Sequence, residues 1–135
     1  MKAQLGVDVF DMARMERAIE GRNPAYFDAI FAPGEQAEAA QHINPTIYYA
    51  TRFALKEAAF KALQTHWTEE MDWKQISTRG SESEAPKVKY EGALGKVAKD
   101  IGVSHVSASI SYDKGIAFAA VVLTVHEKSA SETED

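Results

Sequence analysis

The stretch YYATRFALKEAAFKAL, residues 48–63, decides the fold. At about 100° per residue, Tyr49, Phe53, Leu55, Ala59, Phe60 and Leu63 share a broad apolar arc, the pattern of a helix laid on a core. Charges interrupt that arc. Arg52 and Lys56 fall inside it, four residues apart, Glu57 borders it, and Lys61 lies one turn beyond Glu57 on the same side. Glu57 and Lys61 form an i, i+4 pair in the favourable order, worth only about 0.2–0.5 kcal/mol on a helix surface. Lys and Arg can also lay their aliphatic stems over apolar surface with their heads in water. Neither point explains why Arg52 and Lys56 sit together. Like charges at i, i+4 repel, and the arrangement makes most sense with an anion between them.

Working outward, two Asn-Pro pairs mark helix starts. The Asn oxygen caps the first turn, and Pro fits there because its missing N–H would be unpaired anyway. Asn44-Pro45 opens the long helix, which is expected to run to about Gln64. Asn23-Pro24 opens a short helix through Ile30. Between them PGEQAEAAQ (33–41) has a first-turn acid and an Ala-rich helical content. Upstream, QLGVDVF alternates, with Leu5, Val7 and Val9 on one side and Asp8 on the other, which reads as a first strand followed by a helix from about Met12 to Glu20.

The second half is richer in strand signals. WKQISTR (73–79) and KVKY (87–90) read as strands separated by the polar GSESEAP (80–86). GALGKVAKDIG places Leu94, Val97, Ala98 and Ile101 at helical spacing, with Gly102 as the stop. SHVSASIS alternates, YDKG is a turn, and IAFAAVVLTV is apolar throughout, which predicts a central strand buried on both faces and paired with its predecessor as a hairpin. The sum is an α+β fold, a single domain with a mostly antiparallel sheet packed by one long helix.

Composition agrees with one domain of modest core: 135 residues, 45% hydrophobic and 26% charged. No apolar run is long enough to span a bilayer, and the amino terminus shows no signal-peptide pattern, so no membrane partner is expected. The chain has no cysteine, which excludes disulfides, thiolate metal sites and a cysteine nucleophile and suits a cytoplasmic setting. His42, His66, His105 and His126 show no metal-ligand spacing. The net charge of −5 argues against nucleic acid as a partner. Residues 127–135 hold four acids against Lys128, leaving −2 for residues 1–126. This acidic, Ser-containing tail is expected to be disordered and apart from the 1–126 domain.

Asp8 poses the same question as the helix charges, because an unpaired carboxylate in a buried strand is costly. Taken with Glu57 it suggests two hard oxygen ligands for a divalent cation. Without cysteine or spaced histidine, Mg²⁺ is the natural candidate, since it commonly uses one or two carboxylates with waters and phosphates completing its octahedron. Basic residues beside such a metal point to a phosphate-bearing cofactor. Neither a Walker loop nor a dinucleotide fingerprint is present to hold it.

LGVDVFDMARM (5–15), RFALKEAAFKAL (52–63) and VSASISYDKGIAFAAVVL (106–123), in that order and spacing, resemble the signature regions of the holo-[acyl-carrier-protein] synthase family. These are the small 4′-phosphopantetheinyl transferases of bacterial fatty-acid synthesis, and the likeness runs over about residues 4–125. It implies that Asp8 and Glu57 hold Mg²⁺ and, with Lys61, are catalytic. It implies further that Arg52, Lys56, Lys61 and Ser109 bind coenzyme A, and that Arg14 and Arg17 face an acidic apo-acyl carrier protein. It also implies a homotrimer with the cofactor site between neighbouring subunits. Two stretches depart from the family pattern. Glu84-Ala85-Pro86 stands where Gly-Lys-Pro is usual, and Ser107 and Tyr112 replace the histidines of His-Val-Ser-Ile-Ser-His. Those departures motivate an alternative, a non-catalytic trimeric module of the same fold with impaired coenzyme A binding. A hydrolase of nucleotide substrates using the same two carboxylates is a third reading.

Overall fold

The computed structural model describes residues 1–80 and 84–126. The tail beyond His126 and the middle of the 80–86 stretch therefore lie outside the described residues. In chain order the elements are β1 (Lys2–Asp11), α1 (Met12–Glu20), α2 (Pro24–Ile30), α3 (Pro33–Gln41) and α4 (Pro45–Ala62). A single 3₁₀ turn (Trp73–Gln75) follows, then β2 (Ile76–Arg79), β3 (Lys87–Tyr90), α5 (Gly92–Ile101), β4 (Val103–Asp113) and β5 (Ile116–Val125).

The helix starts follow the caps. Asn23 Oδ1 accepts from Ala25 N, and Asn44 Oδ1 accepts from Ile47 N, each with proline in the first turn. Gly102, at φ 86°, ends α5 in the left-handed conformation that glycine adopts without penalty. WKQISTR is not strand throughout. Asp72 caps the 3₁₀ turn by accepting from Lys74 N, and extended backbone begins only at Ile76.

All strand pairs are antiparallel, but they form two sheets rather than one, β1-β5-β4 and β2-β3. Helix α4 lies on the inner face of the larger sheet. On that face Gln4, Gly6 and Phe10 of β1 are buried, Asp8 is partly so, and Ala117, Ala119, Val121, Leu123 and Val125 of β5 are buried with them. The helix answers with Ala54, Ala58, Ala59 and Ala62. Close approach depends on Gly6: a Cβ there would overlap the Ala58 carbonyl oxygen and lie 2.6 Å from the Ala62 nitrogen.

This packing decides which way β1 faces. Leu5, Val7 and Val9, the apolar side, point away from α4 and are each 60% exposed. In register beside them on β5 stand Val122, Ala120 and Phe118, followed on β4 by Ser107, Ser109 and Ser111. β5 is thus the central strand, as its composition predicts, but within one protomer only one of its faces is buried. The other belongs to an uncovered face, apolar along β1 and β5 and hydroxyl-bearing along β4.

Candidate active site

Two sets of side chains leave α4 in different directions. Glu57 and Lys61, one turn apart, face β1, where Asp8 projects inward because it shares the side of Gly6 and Phe10. Lys61 Nζ lies 2.8 Å from Asp8 Oδ1 and 3.4 Å from the Val7 carbonyl oxygen. The Asp8 side chain is almost wholly buried, whereas that of Lys61 is half exposed. Asp8 Oδ2 is buried and meets no N–H or hydroxyl donor. Glu57 is the acid set beside it. Burial, then the hydrogen bond and charge of Asp8, push the Glu57 carboxyl up to about 7, against the opposing pull of Lys61 and Arg14. The Asp8 contact in turn raises the Lys61 ammonium above its ordinary value.

Two crowded carboxyls, one with a buried oxygen that meets no N–H or hydroxyl donor and both beside a half-exposed lysine head, form a site suited to hard positive charge. Among the described residues no group of three or more His, Asp or Glu side chains gathers as a fully protein-ligated metal needs. A carboxylate pair instead suits a cation that keeps waters or ligand oxygens.

The structure adds Arg14 and Tyr26 to the rim. The Arg14 guanidinium stacks 4.9 Å from the Phe10 ring centre, and its charge is felt by both Glu57 and Tyr26. Burial is the main cause of the raised Tyr26 hydroxyl. Arg17 is exposed farther along α1, near the end of the helix, where its carbonyl accepts from Gly21 N. Tyr26 could not be singled out from sequence: its neighbours come from α1 and α4.

The second set faces away. Arg52 precedes Glu57 by five residues, about 140° round the helix. Its Nη2 donates to the Gly80 carbonyl at 2.9 Å, its guanidinium lies 5.0 Å from the Tyr48 ring centre, and Nη1 is buried without a partner. Tyr48 is 2% exposed and its hydroxyl is likewise unpartnered. Both border a cleft of about 500 Å³ shared with Thr51, Glu84, Ser109 and Ser111. Ser109 therefore joins Arg52, on the opposite side of α4 from Asp8, Glu57 and Lys61. One protomer presents two separate polar clusters.

Lys56 belongs to neither, which corrects its expected place against a ligand phosphate. It is fully buried, and its Nζ donates to Glu35 Oε1 (2.8 Å), the Ile30 carbonyl (2.8 Å) and the Trp73 carbonyl (3.2 Å). Burial pulls the ammonium below the ordinary lysine value, and Glu35 opposes that pull. The anion near Arg52 and Lys56 turns out to be internal and serves Lys56 alone. Glu35 also accepts from Ala32 N and from both Thr78 N and Thr78 Oγ1, tying α3, α4 and β2 together. Sequence showed Glu35 only as a first-turn acid. Its buried partners are 21 and 43 residues away.

Comparison with known proteins gives the chain a family. Residues 4–125 match the model of the 4′-phosphopantetheinyl transferase superfamily. The chain is 34% identical over 118 residues to a holo-[acyl-carrier-protein] synthase of Geobacter sulfurreducens, covering 87% of this chain and 94% of that protein. It is 37% identical over 123 residues to one from Anaeromyxobacter sp. (strain K), covering 88% and 93%. Among solved structures, the holo-[acyl-carrier-protein] synthase of Neisseria meningitidis superposes with a TM-score of 0.78 at 30% identity, over 90% of this chain and 97% of that one. The Helicobacter pylori enzyme, solved in complex with coenzyme A, gives a TM-score of 0.75 at 28% identity, over 89% and 99%. With a family match spanning nearly all the described residues and an architecture shared with these enzymes, the chain belongs to the 4′-phosphopantetheinyl transferase superfamily.

Proposed function

We propose that this enzyme transfers the 4′-phosphopantetheine arm of coenzyme A to a serine of apo-acyl carrier protein, releasing adenosine 3′,5′-bisphosphate, with Mg²⁺ held by Asp8 and Glu57. The observation that carries the reading is the buried Asp8 carboxylate crowded by the Glu57 carboxyl, with Lys61 on Oδ1 and no N–H or hydroxyl donor on Oδ2. Such an oxygen beside a second carboxyl fits a divalent ion that completes its shell with waters and phosphate oxygens. When bound, Mg²⁺ supplies neutralisation of charge on the diphosphate oxygens.

The chain's own residues do the rest. The serine oxygen forms a bond to the β-phosphorus as the bond from that phosphorus to the bridging oxygen breaks, and the bridging oxygen leaves on adenosine bisphosphate. The serine proton leaves with solvent. Lys61, with its head half exposed, is able to turn from Asp8 to the transferring phosphoryl oxygens and offset their charge. Arg14, on the rim beside Phe10, and Arg17, farther along α1, offer positive charge to an acidic carrier protein.

The second half-site suits the nucleotide end of coenzyme A, with Arg52 Nη1 and Tyr48 Oη supplying buried polar groups and Ser109 and Ser111 lining the mouth. Because the two halves diverge across α4, the reading includes a homotrimer in which neighbouring protomers complete each site. The uncovered face bearing Leu5, Val7, Val9 and Phe118 supports it, being the kind of apolar surface that subunit contact buries. Its setting is the cytoplasm, where coenzyme A and the carrier protein meet. The test is direct. Apo-carrier protein incubated with the chain, coenzyme A and Mg²⁺ gains the mass of the arm, and gains none when the metal is chelated. No gain under conditions where a control synthase succeeds refutes the reading.

A further inference from the structure

The cleft that suits the nucleotide end of the donor carries no surplus of positive charge. Arg52 brings one cation to it, with Nη2 bonded to the Gly80 carbonyl and Nη1 buried without a partner. Glu84 brings one exposed carboxylate. Ser109, Ser111 and the buried Tyr48 hydroxyl add neutral donors and acceptors. A larger cavity of about 1130 Å³ adjoins the cleft between α3 and β2 and shares His42, Tyr48 and Glu84 with it. It adds Arg79, but also Glu35 and Glu38. Glu35 is engaged by Lys56 and Thr78, and His42 accepts from the Asn44 N–H through Nδ1. Among the described residues, the two spaces together therefore set Arg52 and Arg79 against Glu38 and Glu84.

That balance bears on one group of the donor. The ribose 3′ oxygen of coenzyme A carries a phosphomonoester with close to two negative charges at neutral pH. Dephospho-coenzyme A is the same donor with a free 3′ hydroxyl. A carboxylate and a guanidinium read that difference in opposite senses. The carboxylate accepts a hydrogen bond from a ribose hydroxyl and repels a phosphate, whereas an arginine accommodates the phosphate. This cleft holds one of each. The attraction of a single arginine, already bonded to a carbonyl, is offset by repulsion from Glu84 and by the water that the monoester must give up.

We infer that this enzyme uses dephospho-coenzyme A as readily as coenzyme A, and that Glu84 is the residue that keeps the two donors alike. The inference rests on the transferase reading above and extends its donor range. With the shorter donor the serine oxygen bonds to the β-phosphorus and the bond from that phosphorus to the bridging oxygen breaks. Adenosine 5′-monophosphate leaves with the bridging oxygen, the serine proton passes to solvent, and the carrier protein receives the same arm.

The test measures both donors. The wild-type chain is expected to give kcat/KM for dephospho-coenzyme A within about fivefold of that for coenzyme A, the reach of one exposed charge. Glu84→Lys reverses that charge and removes the acceptor for the 3′ hydroxyl. KM for coenzyme A then falls about fivefold while KM for dephospho-coenzyme A rises, so a preference for coenzyme A of at least about tenfold appears. The preference shrinks as salt is added. A wild-type preference for coenzyme A above about fivefold overturns the inference, because the 3′ phosphate is then held by other cations. A Glu84→Lys variant that moves both donors alike overturns it too. A second readout needs neither carrier protein nor turnover. In calorimetry, adenosine 3′,5′-bisphosphate and adenosine 5′-monophosphate bind the wild-type chain within about fivefold of each other, and Glu84→Lys tightens the bisphosphate alone. A larger gap in the wild type, or no binding of either nucleotide, overturns the inference. If the wild-type chain modifies no carrier protein with either donor, the transferase reading fails by itself, and the calorimetry still decides how the 3′ position is read.

Discussion

Lys61 reaches Asp8 through one oxygen only: Nζ lies 2.8 Å from Oδ1, while Oδ2 of the same carboxylate is buried and meets no N–H or hydroxyl donor. The side that Lys61 leaves open is completed by Glu57, whose carboxyl is pushed up to about 7 by burial and by Asp8. Lys61 neutralises Asp8, and Glu57 is free to give up its proton to an arriving cation.

Removing Glu57 tests that directly. Glu57→Ala is expected to lower carrier-protein modification by at least about 10²-fold, since metal-assisted charge stabilisation contributes several kcal/mol, while circular dichroism stays that of the wild type. The pH dependence follows from the shift. A carboxyl raised above its ordinary value of 4.5 binds its proton more tightly in the fold than in the unfolded chain. Its contribution to metal-free stability is complete below about pH 4.5 and is lost as pH rises through about 7. Mg²⁺ competes with that proton. The rise in Tm on adding Mg²⁺ should be small near about pH 5.5, larger near about pH 8, and absent in Glu57→Ala. A pH-independent increment would contradict Glu57 as a ligand.

Lys56 should behave as a structural residue. Breaking a buried pair by removing one partner leaves an uncompensated charge and costs about 3–5 kcal/mol. Lys56→Met is therefore expected to lose about that much in urea unfolding, because Glu35 keeps its two Thr78 bonds but loses its cation. Replacing Glu35 with Gln as well should recover part of the loss. At a temperature where the single variant remains folded, its KM for coenzyme A stays near that of the wild type. A selective rise in KM would return Lys56 to the ligand.

How much of this was legible beforehand depended on the range of each interaction. Helix starts at Pro24 and Pro45 and the stop at Gly102 are set within a few residues of themselves, and they could be read. The pairing of Asp8 with Glu57 was legible because each is an anomaly in its own pattern, an acid in an apolar strand and an acid on the border of an apolar arc. The facing of β1 was not. Alternation shows that Leu5, Val7 and Val9 share a side, but the contact of Gly6 with Ala58 and Ala62 decides that this side looks outward. Lys56 looked like a ligand residue because Glu35 comes from another helix.

The loop departure has a measurable consequence. Glu84 lines the cleft with Arg52, Tyr48 and Ser109 and presents a negative charge to any phosphate held there. An exposed charge of this kind is worth about 0.5–1 kcal/mol. Glu84→Gln is accordingly expected to lower KM for coenzyme A by two- to fivefold at low ionic strength, with the gain shrinking as salt is added. A KM that does not move would place the phosphates elsewhere.

Gly6 and Gly34 make a matched pair for the packing argument. A methyl at Gly6 overlaps the backbone of α4, so Gly6→Ala should cost at least about 1–3 kcal/mol. It should also disturb transfer, because the same helix carries Glu57. Gly34, in the first turn of α3, has nothing within 4 Å of its would-be Cβ. Gly34→Ala should leave stability unchanged or raise it by up to about 1 kcal/mol. Equal effects at the two positions would mean that β1 does not depend on close contact with α4.

The divergence of Arg52 and Glu57 round α4 makes the oligomer testable through activity. If each site takes Glu57 from one protomer and Arg52 from the next, Arg52→Ala and Glu57→Ala homotrimers are both inactive, yet mixing them rebuilds intact sites. At equal proportions a random ring places an intact Glu57 half beside an intact Arg52 half at about one interface in four. Co-unfolding and refolding the two inactive proteins is therefore expected to restore about a quarter of wild-type transfer, while either one refolded alone restores none. Val7→Glu puts a charge on the uncovered sheet face and should yield monomers by sedimentation and abolish the recovery. If the mixed protein stays inactive although sedimentation shows it to be trimeric, both half-sites must serve a ligand within one protomer, and the shared-site arrangement is wrong.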